Sequence, residues 1–385
     1  MKKSRDKSNF KLNLCQQKKV LEITHSLNAG GIETFLVNFL KARTEEEKKR
    51  FSIDFWTLST DREQYYEKEI NEEGCRIFRQ RAAGCTNFAH KILCFFYLPY
   101  LLIKFGPYDI VHIHLHSTGA LFAPLLKLFG VKKIILHSHN TRETAPSALW
   151  RAVYPRLSAW LAGHFADRLC ACSEEAGREL FGSNKVTVIK NGIDTEKFSF
   201  RPWKRTEKRK ELGLSNYFVI GNIGRLMPQK NHSFLLDIFK KIHDLRPLSK
   251  LIIAGDGPLK DELKKKAADS GISETIIFLG VRKDTAELYQ AMDCFILPSL
   301  FEGLGIVCIE AQCCGLPCFV SDKVPELARV CNTVALPLSA PPEEWAEKTI
   351  ARTDINKRKD CSKIMKDKGF DNRTTAEQIF SVYDS

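Results

Sequence analysis

The 385-residue chain has no apolar run long enough to cross a bilayer. The longest, ILCFFYLPYLLI at 92–103, is broken by Pro99 and falls well short of the roughly 20 residues that a spanning helix needs. No signal peptide is expected either, because the first twenty residues carry seven Lys/Arg and one acid and no long apolar run follows. There is no low-complexity segment, no short-period repeat, no GxGxxG and no DxD. The missing glycine fingerprint disfavours NAD. Cysteine is plentiful, at thirteen residues, but the spaced pairs of a zinc finger are missing: Cys170/Cys172 and Cys314/Cys318 have the wrong intervals. Reduced thiols acting as small apolar core residues in a cytoplasmic protein are the expectation.

The length fits two domains of average size better than one. A hydrophobic content of 44% is that of a soluble globular protein able to bury real cores. The net charge of +13 favours an anionic partner: nucleic acid, an anionic membrane face or a phosphorylated substrate. The positive charge is scattered and carries no recognition motif, which argues against nucleic acid.

Strand-like and helix-like segments alternate. VLEITH (20–25), SIDFWT (52–57), DIVHIH (109–114), KKIILHS (132–138), RLCACS (168–173) and VTVIK (186–190) are β-branched and apolar with little alternation, as strands buried on both faces should be. Helices are expected between them, at 33–47 and 174–181 for example. A polar, basic segment at 201–214 containing Pro202 suits a connection between domains. A second series then begins: YFVIGNI (217–223), KLIIAG (250–255), TIIFLG (275–280), DCFILP (293–298) and PCFVSD (317–322). Two successive βα series predict an α/β protein of two facing Rossmann-like domains with an interdomain cleft. The expected division is a basic tail at 1–17, a first Rossmann-like domain at 18–200, the linker at 201–214, a second Rossmann-like domain at 215–370, and a helix at 371–385 packing back on the first domain.

Five motifs carry chemistry. In EGLGIVCIEAQCCGLP, Glu302 and Glu310 stand eight positions apart, about 10–12 Å if mostly helical. Gly303 and Gly305 let backbone N–H groups approach a ligand, and the helix that follows favours negative charge at its start. Carboxylates suit hydroxyl-rich ligands because each accepts two hydrogen bonds. Two surface glutamates give the same spacing; the context PSxFEGxG…EAxxxGxP gives it meaning. In NIGRLMPQKN, Arg225 and Lys230 follow the first strand of the second series, where phosphates are usually held. In HSLNAGGIETF, Gly30 and Gly31 form the corresponding turn of the first series. His112, His114 and His116, then His137 and His139, sit at strand ends beside the expected cleft. They are core histidines, substrate contacts or a zinc set. Last, 92–104 and 149–163 mix aromatics, leucines and basic residues, as core helices or as a face for an anionic membrane.

Taken together, GGIE, NGID, GRLMPQKN, AGDGP, FLG and FEGLGIVCIEAQCCGLP resemble family four of the glycosyltransferases, retaining enzymes of the two-Rossmann B fold. The His-Ser-His-Asn run is most similar to bacterial exopolysaccharide or capsule transferases. The resemblance implies a donor nucleoside-diphosphate sugar as co-substrate, no other cofactor and no metal, and a lipid-linked or glycan acceptor. It gives the diphosphate to Arg225 and Lys230, the donor sugar to Glu302, the ribose to Glu310, and the sugar and phosphates to the backbone of Gly303, Leu304 and Gly305. Gly30 and Gly31 close over the donor. One of His137 and His139, preferably His139, lies near the anomeric carbon, and Arg282 lies where backbone holds the base. His116, His137 and Asn140 are expected on the acceptor side. Retention would proceed by same-face attack, the departing diphosphate taking the acceptor's proton. The expected place is the cytoplasm, with a peripheral position at the inner membrane face. A non-catalytic partner subunit and a sugar-nucleotide epimerase are the alternatives.

Overall fold

The computed structural model describes residues 17–59, 63–79, 87–140, 148–354 and 357–385, with backbone alone at 87–92 and 148–154. The basic tail, apart from Gln17, lies outside the described residues, as do the side chains of the first residues of both amphipathic stretches.

Two parallel sheets form two lobes. The first has the order β3-β2-β1-β4-β5-β6-β7, with β1 Lys18–Thr24, β2 Phe51–Thr57, β3 Arg76–Arg79, β4 Ile110–Ile113, β5 Lys133–Ser138, β6 Arg168–Ala171 and β7 Thr187–Val188. The second runs β10-β9-β8-β11-β12-β13, with β8 Phe218–Ile223, β9 Ser249–Ala254, β10 Ile276–Gly280, β11 Cys294–Leu297, β12 Cys318–Ser321 and β13 Thr333–Leu336. The central strands lack alternation because helices cover both sheet faces; β8, for example, is buried along its whole length. β3 and β13 are additions to the sequence reading. Both are short edge strands, half-exposed at most positions, so neither shows a continuous apolar run.

The strand order reverses between β1 and β4 in one lobe and between β8 and β11 in the other. Ligands of open parallel sheets bind outside the carboxyl ends at such switch points. The loops leaving β1, β5, β8 and β11 therefore face one another across a cleft of about 770 Å³.

Four helices depart from the sequence reading or complete it. The stretch expected as one helix over 33–47 is two, Gly31–Lys41 and Glu45–Arg50. The break falls at Thr44, whose hydroxyl accepts from Glu47 N while the Glu47 carboxylate accepts from Thr44 N, a capping box that starts a new helix. The basic segment 201–214, read as the connection between the domains, is mostly helix. Pro202–Glu211 is helical, and Arg205 and Arg209 pair with the buried Asp293, fixing it against the second lobe. The C-terminal helix, Asn372–Asp384, returns to the first lobe. Its Ile379, Phe380 and Tyr383 enter the core with Phe39 and Phe51, and Phe380 stacks on Phe51 at 4.9 Å. The cysteines behave as core residues: of those described, all but the half-buried Cys331 are buried, and all are free.

Candidate active site between the lobes

The second lobe presents Lys230 and Glu302 as a unit. Two adjacent loops are sewn together, Leu300 N donating to Gln229 O at 2.8 Å and Gln229 Nε2 to Phe301 O at 3.0 Å. With the loops locked, Lys230 Nζ meets Glu302 Oε1 at 2.7 Å, and Ser299 Oγ donates to the same oxygen at 2.6 Å. Glu302 is 5% exposed, so a buried carboxylate is held in one orientation by a cation and a hydroxyl. Arg225, on the loop after β8, is exposed and lines the same cleft.

Gly305 begins the Ile306–Cys313 helix in a left-handed conformation (φ 80°), which aims the free N–H groups of the first turn at the cleft. Eight residues past Glu302, Glu310 is buried on this helix. Burial pushes its carboxyl up from 4.5 to about 7, against the hydrogen bond from Tyr289 and the charge of Lys197. The Tyr289 hydroxyl lies 2.9 Å from Glu310 Oε2.

The lobes touch at Gly303. A Cβ there would lie 2.0 Å from the carbonyl oxygen of His139 in the first lobe, so only glycine permits this approach. Ser173 Oγ donates to Gly303 O at 3.1 Å from the same side. A second crossing joins Tyr65 and Glu69 to the loop after β10: the Tyr65 hydroxyl donates to Arg282 O at 3.0 Å, and Lys283 pairs with Glu69 at 2.9 Å. The Arg282 guanidinium itself is tied to Asp284 by two contacts of 2.7 Å.

The first lobe contributes Gly30 and Gly31 at the start of the Gly31–Lys41 helix, together with His139 and Asn140. Behind them lies a buried polar cluster. Glu22, wholly inaccessible on β1, takes His114 Nε2 at 2.8 Å, and His114 Nδ1 meets His139 Nε2 at 2.8 Å. On a second arm, the Tyr383 hydroxyl donates to Glu22 Oε1. His112 Nδ1 lies 2.9 Å from that hydroxyl, and His112 Nε2 lies 3.2 Å from His137 Nδ1. Burial works to raise the Glu22 carboxyl, but the charge and hydrogen bonds of His112 and His114 override it and hold the group well below the usual carboxylate range. Burial also pushes His114 down to about 4 and, with the neighbouring rings, holds His137 and His139 well below the ordinary imidazole value.

His112, His114 and His137 bring ring nitrogens within 4.8 Å of one another, a metal-ligand set by type and spacing. Five of the six nitrogens, all but His137 Nε2, already face hydrogen-bond partners.

The cleft thus gathers Gly30, Gly31, His139, Asn140, Arg225 and Lys230 with Arg282, Glu302, Gly303, Leu304, Gly305 and Glu310. It does not gather His116 or His137. His137, expected on the acceptor side, is a core residue stacked behind His139 at 4.1 Å between ring centres, because its place within β5 buries it. Sequence reasoning passed over several cleft residues. Glu33 sits inside the quoted GGIE run; it is buried, accepts from Ser26 Oγ at 2.9 Å, and burial holds its carboxyl above the usual range. Asn191, in the quoted NGID run, and Lys197 also line the cleft. Tyr65 had no motif to mark it.

Two facing Rossmann-like lobes, with cations, a helix start and two acids converging between them, define a glycosyltransferase of the two-lobed B fold. A family model described as Glycosyltransferase Family 4 matches residues 29–197, and one described as Glycosyl transferases group 1 matches 204–352. The putative glycosyltransferase EpsF of Bacillus subtilis is 33% identical over 95% of this chain and 96% of its own length. The chain belongs to the family-four glycosyltransferases, of bacterial polysaccharide type. An Escherichia coli enzyme, UDP-Gal:alpha-D-GlcNAc-diphosphoundecaprenol alpha-1,3-galactosyltransferase, is 37% identical over 58% of this chain and 60% of its own length. The crystal structure of Anabaena Alr3699/HepE with UDP and glucose shares the fold, with a TM-score of 0.74 at 20% identity over 96% of this chain and 100% of the other.

Proposed function

We propose that the chain is a retaining hexosyltransferase that moves a sugar from a nucleoside-diphosphate sugar to a lipid-linked or polysaccharide acceptor. The observation that carries this reading is the convergence of Lys230, Glu302 and the start of the Ile306–Cys313 helix on one cleft that also holds Glu310. The diphosphate lies against Arg225, Lys230 and the helix N–H groups. Glu302 takes sugar hydroxyls and Glu310 takes the ribose. As the glycosidic bond breaks, negative charge grows on the leaving diphosphate, and these fixed cations and dipoles stabilise it. The acceptor hydroxyl enters on the face the diphosphate leaves and gives it its proton. That route needs no dedicated nucleophile, and the counter-charge from Arg225 and Lys230 suits a reaction without a divalent ion. The UDP-Gal donor and diphosphoundecaprenol-linked acceptor in the name of the Escherichia coli relative support the substrate classes.

The acceptor's lipid directs attention to the first lobe. Phe96, Ile103 and Trp160 are 70, 75 and 53% exposed on the helices Asn87–Phe105 and Ala148–Phe165. Both helices flank the short helix Ser117–Phe122: Phe95 stacks on Phe122, and Ser158 donates to Ser117 O. None of the described helices is long and apolar enough to cross a membrane. We read this face as a peripheral contact with an anionic bilayer at the cytoplasmic side, beside the acceptor's anchor. The test is transfer from a panel of labelled nucleotide sugars to an undecaprenyl-diphosphate-linked saccharide, with and without EDTA, the anomeric configuration of the product being read by NMR. Product of the donor's own configuration, formed equally in EDTA, is expected; an inverted product or loss of turnover in EDTA overturns the mechanism.

A further inference from the structure

Two side chains of the first lobe meet the loop after β10 across the cleft. The Tyr65 hydroxyl donates to Arg282 O at 3.0 Å, and Lys283 Nζ donates to Glu69 Oε1 at 2.9 Å. Lys283 also lies over the Tyr65 ring, 5.0 Å from its centre, so one cation links the two bonds into a single bridge. The Glu69 carboxylate is largely covered, whereas the lysine is mostly exposed. Tyr65, Glu69, Arg282 and Lys283 all line the cleft.

Each end of the bridge is anchored in its own lobe. In the first lobe, Leu27 N donates to Gln64 Oε1, Tyr66 N donates to Leu27 O at 3.0 Å, and the Tyr66 and Thr34 hydroxyls lie 2.9 Å apart. These bonds tie residues 64–66 to both sides of the Gly30–Gly31 turn. In the second lobe, Asp284 holds Arg282 and accepts from Lys208 of the Pro202–Glu211 helix at 2.7 Å. With both anchors fixed the bridge has little slack, so it is made or broken as the lobes close or part. Tyr66 shows which end of the cleft it spans. Burial raises the Tyr66 hydroxyl above its ordinary value, and the charges of Glu310 and Glu33 add to the rise. The residue next to Tyr65 therefore stands close to the acid assigned to the ribose.

We propose, resting on the donor reading of the cleft, that Tyr65 and Glu69 are positioning residues that retain the nucleoside: their bonds to Arg282 O and Lys283 hold the lobes shut at the Glu310 end and must break before a nucleoside diphosphate leaves. The bridge leaves room for that ligand. The cleft of about 770 Å³ exists with both bonds in place, and pockets of roughly 300–1,000 Å³ enclose ligands of this size. Closed lobes and a filled cleft are thus compatible, so the bridge belongs to the loaded enzyme and not to a blocked one. A ligand enclosed between lobes escapes only as fast as they open, and release of product sets the turnover of many enzymes. The diphosphate end, at Arg225 and Lys230, has no part in the bridge.

Surface plasmon resonance over the immobilised full chain, with UDP, GDP, ADP and dTDP as ligands, reads the release rate. Tyr65→Phe removes one oxygen and keeps the ring, and release of whichever nucleotide binds should quicken about 3- to 10-fold. Glu69→Gln should quicken it less, because a partly exposed ion pair contributes less, and the double variant should release fastest. Inorganic pyrophosphate is the control: lacking a nucleoside, it does not reach the bridge, and its affinity should be the same in every variant. An unchanged release rate in the double variant overturns the proposal. So does a loss of pyrophosphate affinity as large as the loss of nucleotide retention, since the two residues would then support the diphosphate site. Should the double variant fail to fold, Tyr65→Phe alone decides. If the wild-type chain binds none of the four nucleotides, the donor reading fails and retention falls with it. Small-angle scattering of the ligand-free proteins then judges the bridge by itself: a larger radius of gyration in the double variant upholds it, and an equal radius refutes it.

Discussion

Glu310 offers a test in which stability and binding must move in opposite directions. Its carboxyl, pushed up from 4.5 to about 7 by burial, keeps its proton in the folded chain over a range where the unfolded chain has lost it. The folded pKa is the higher one, so the contribution to stability is fully present below about pH 4.5 and is lost as pH rises through about 7. At 1.36 kcal/mol per pH unit, the loss amounts to about 3 kcal/mol by pH 8. Glu310→Gln cannot ionise and escapes that loss. It should melt near the wild type at pH 5 and above it at pH 8, by about 6–12 °C if the second lobe melts as a unit of ordinary domain size. Donor binding should show the reverse. Ribose hydroxyls donate to an ionised carboxylate, so at pH 7 binding releases about half a proton. Below pH 7 the affinity falls about tenfold per pH unit. Calorimetric titration with nucleotide sugar in two buffers of different ionisation enthalpy counts that proton, and Glu310→Gln should bind weakly with no proton released. A melting gap that does not change between pH 5 and 8 refutes the burial argument. Affinity flat from pH 5.5 to 7, with no buffer dependence, refutes the ribose role even if the melting gap behaves as expected.

Lys230→Met removes a cation from the departing diphosphate and leaves the buried Glu302 carboxylate the Ser299 hydroxyl but not its ion-pair partner; the melting temperature should fall, and in the still-folded protein kcat should drop about 100- to 1,000-fold, so turnover within tenfold of wild type would refute the assignment. Gly303→Ala drives a methyl group into the His139 carbonyl, so the lobes should part, seen as a larger radius of gyration by small-angle scattering together with lost transfer; an unchanged radius would contradict the contact. Replacing Phe96, Ile103 and Trp160 by serine should abolish sedimentation with vesicles of one-third phosphatidylglycerol while leaving nucleotide binding intact, and undiminished sedimentation would remove this face from consideration.

The architecture was legible because long buried strands are written as β-branched runs. What escaped notice was short or half-exposed: Arg76–Arg79 and Thr333–Leu336 at sheet edges, where few residues are covered. The helix at Pro202–Glu211 was hidden by its charge. It is held by Arg205 and Arg209 on Asp293, a long-range pairing that no local pattern announces. In the cleft, the acids and cations stood out because glycines and strand ends marked their loops. The histidines did not sort themselves. Alternation along a strand places His137 and His139 on one face, but which of them reaches open space depends on where β5 ends against the opposite lobe. Glu22 carried even less signal, as a single acid inside an apolar strand; its meaning comes from His114 and Tyr383, brought to it by tertiary structure.

The helix Asn372–Asp384 completes the first lobe from the far end of the chain, Tyr383 reaching Glu22 across a sequence separation of 361 residues. On a ribosome adding roughly 5–20 residues per second, the first lobe emerges on the order of ten seconds or more before its closing piece has been synthesised. Until then Phe39 and Phe51 lack their cover, and Glu22 lacks a donor. The nascent lobe must wait with an open seam, and a chaperone that shields apolar surface has its opportunity in that interval. Capture of ribosome-bound chains stalled before and after residue 385 would show whether that seam recruits one.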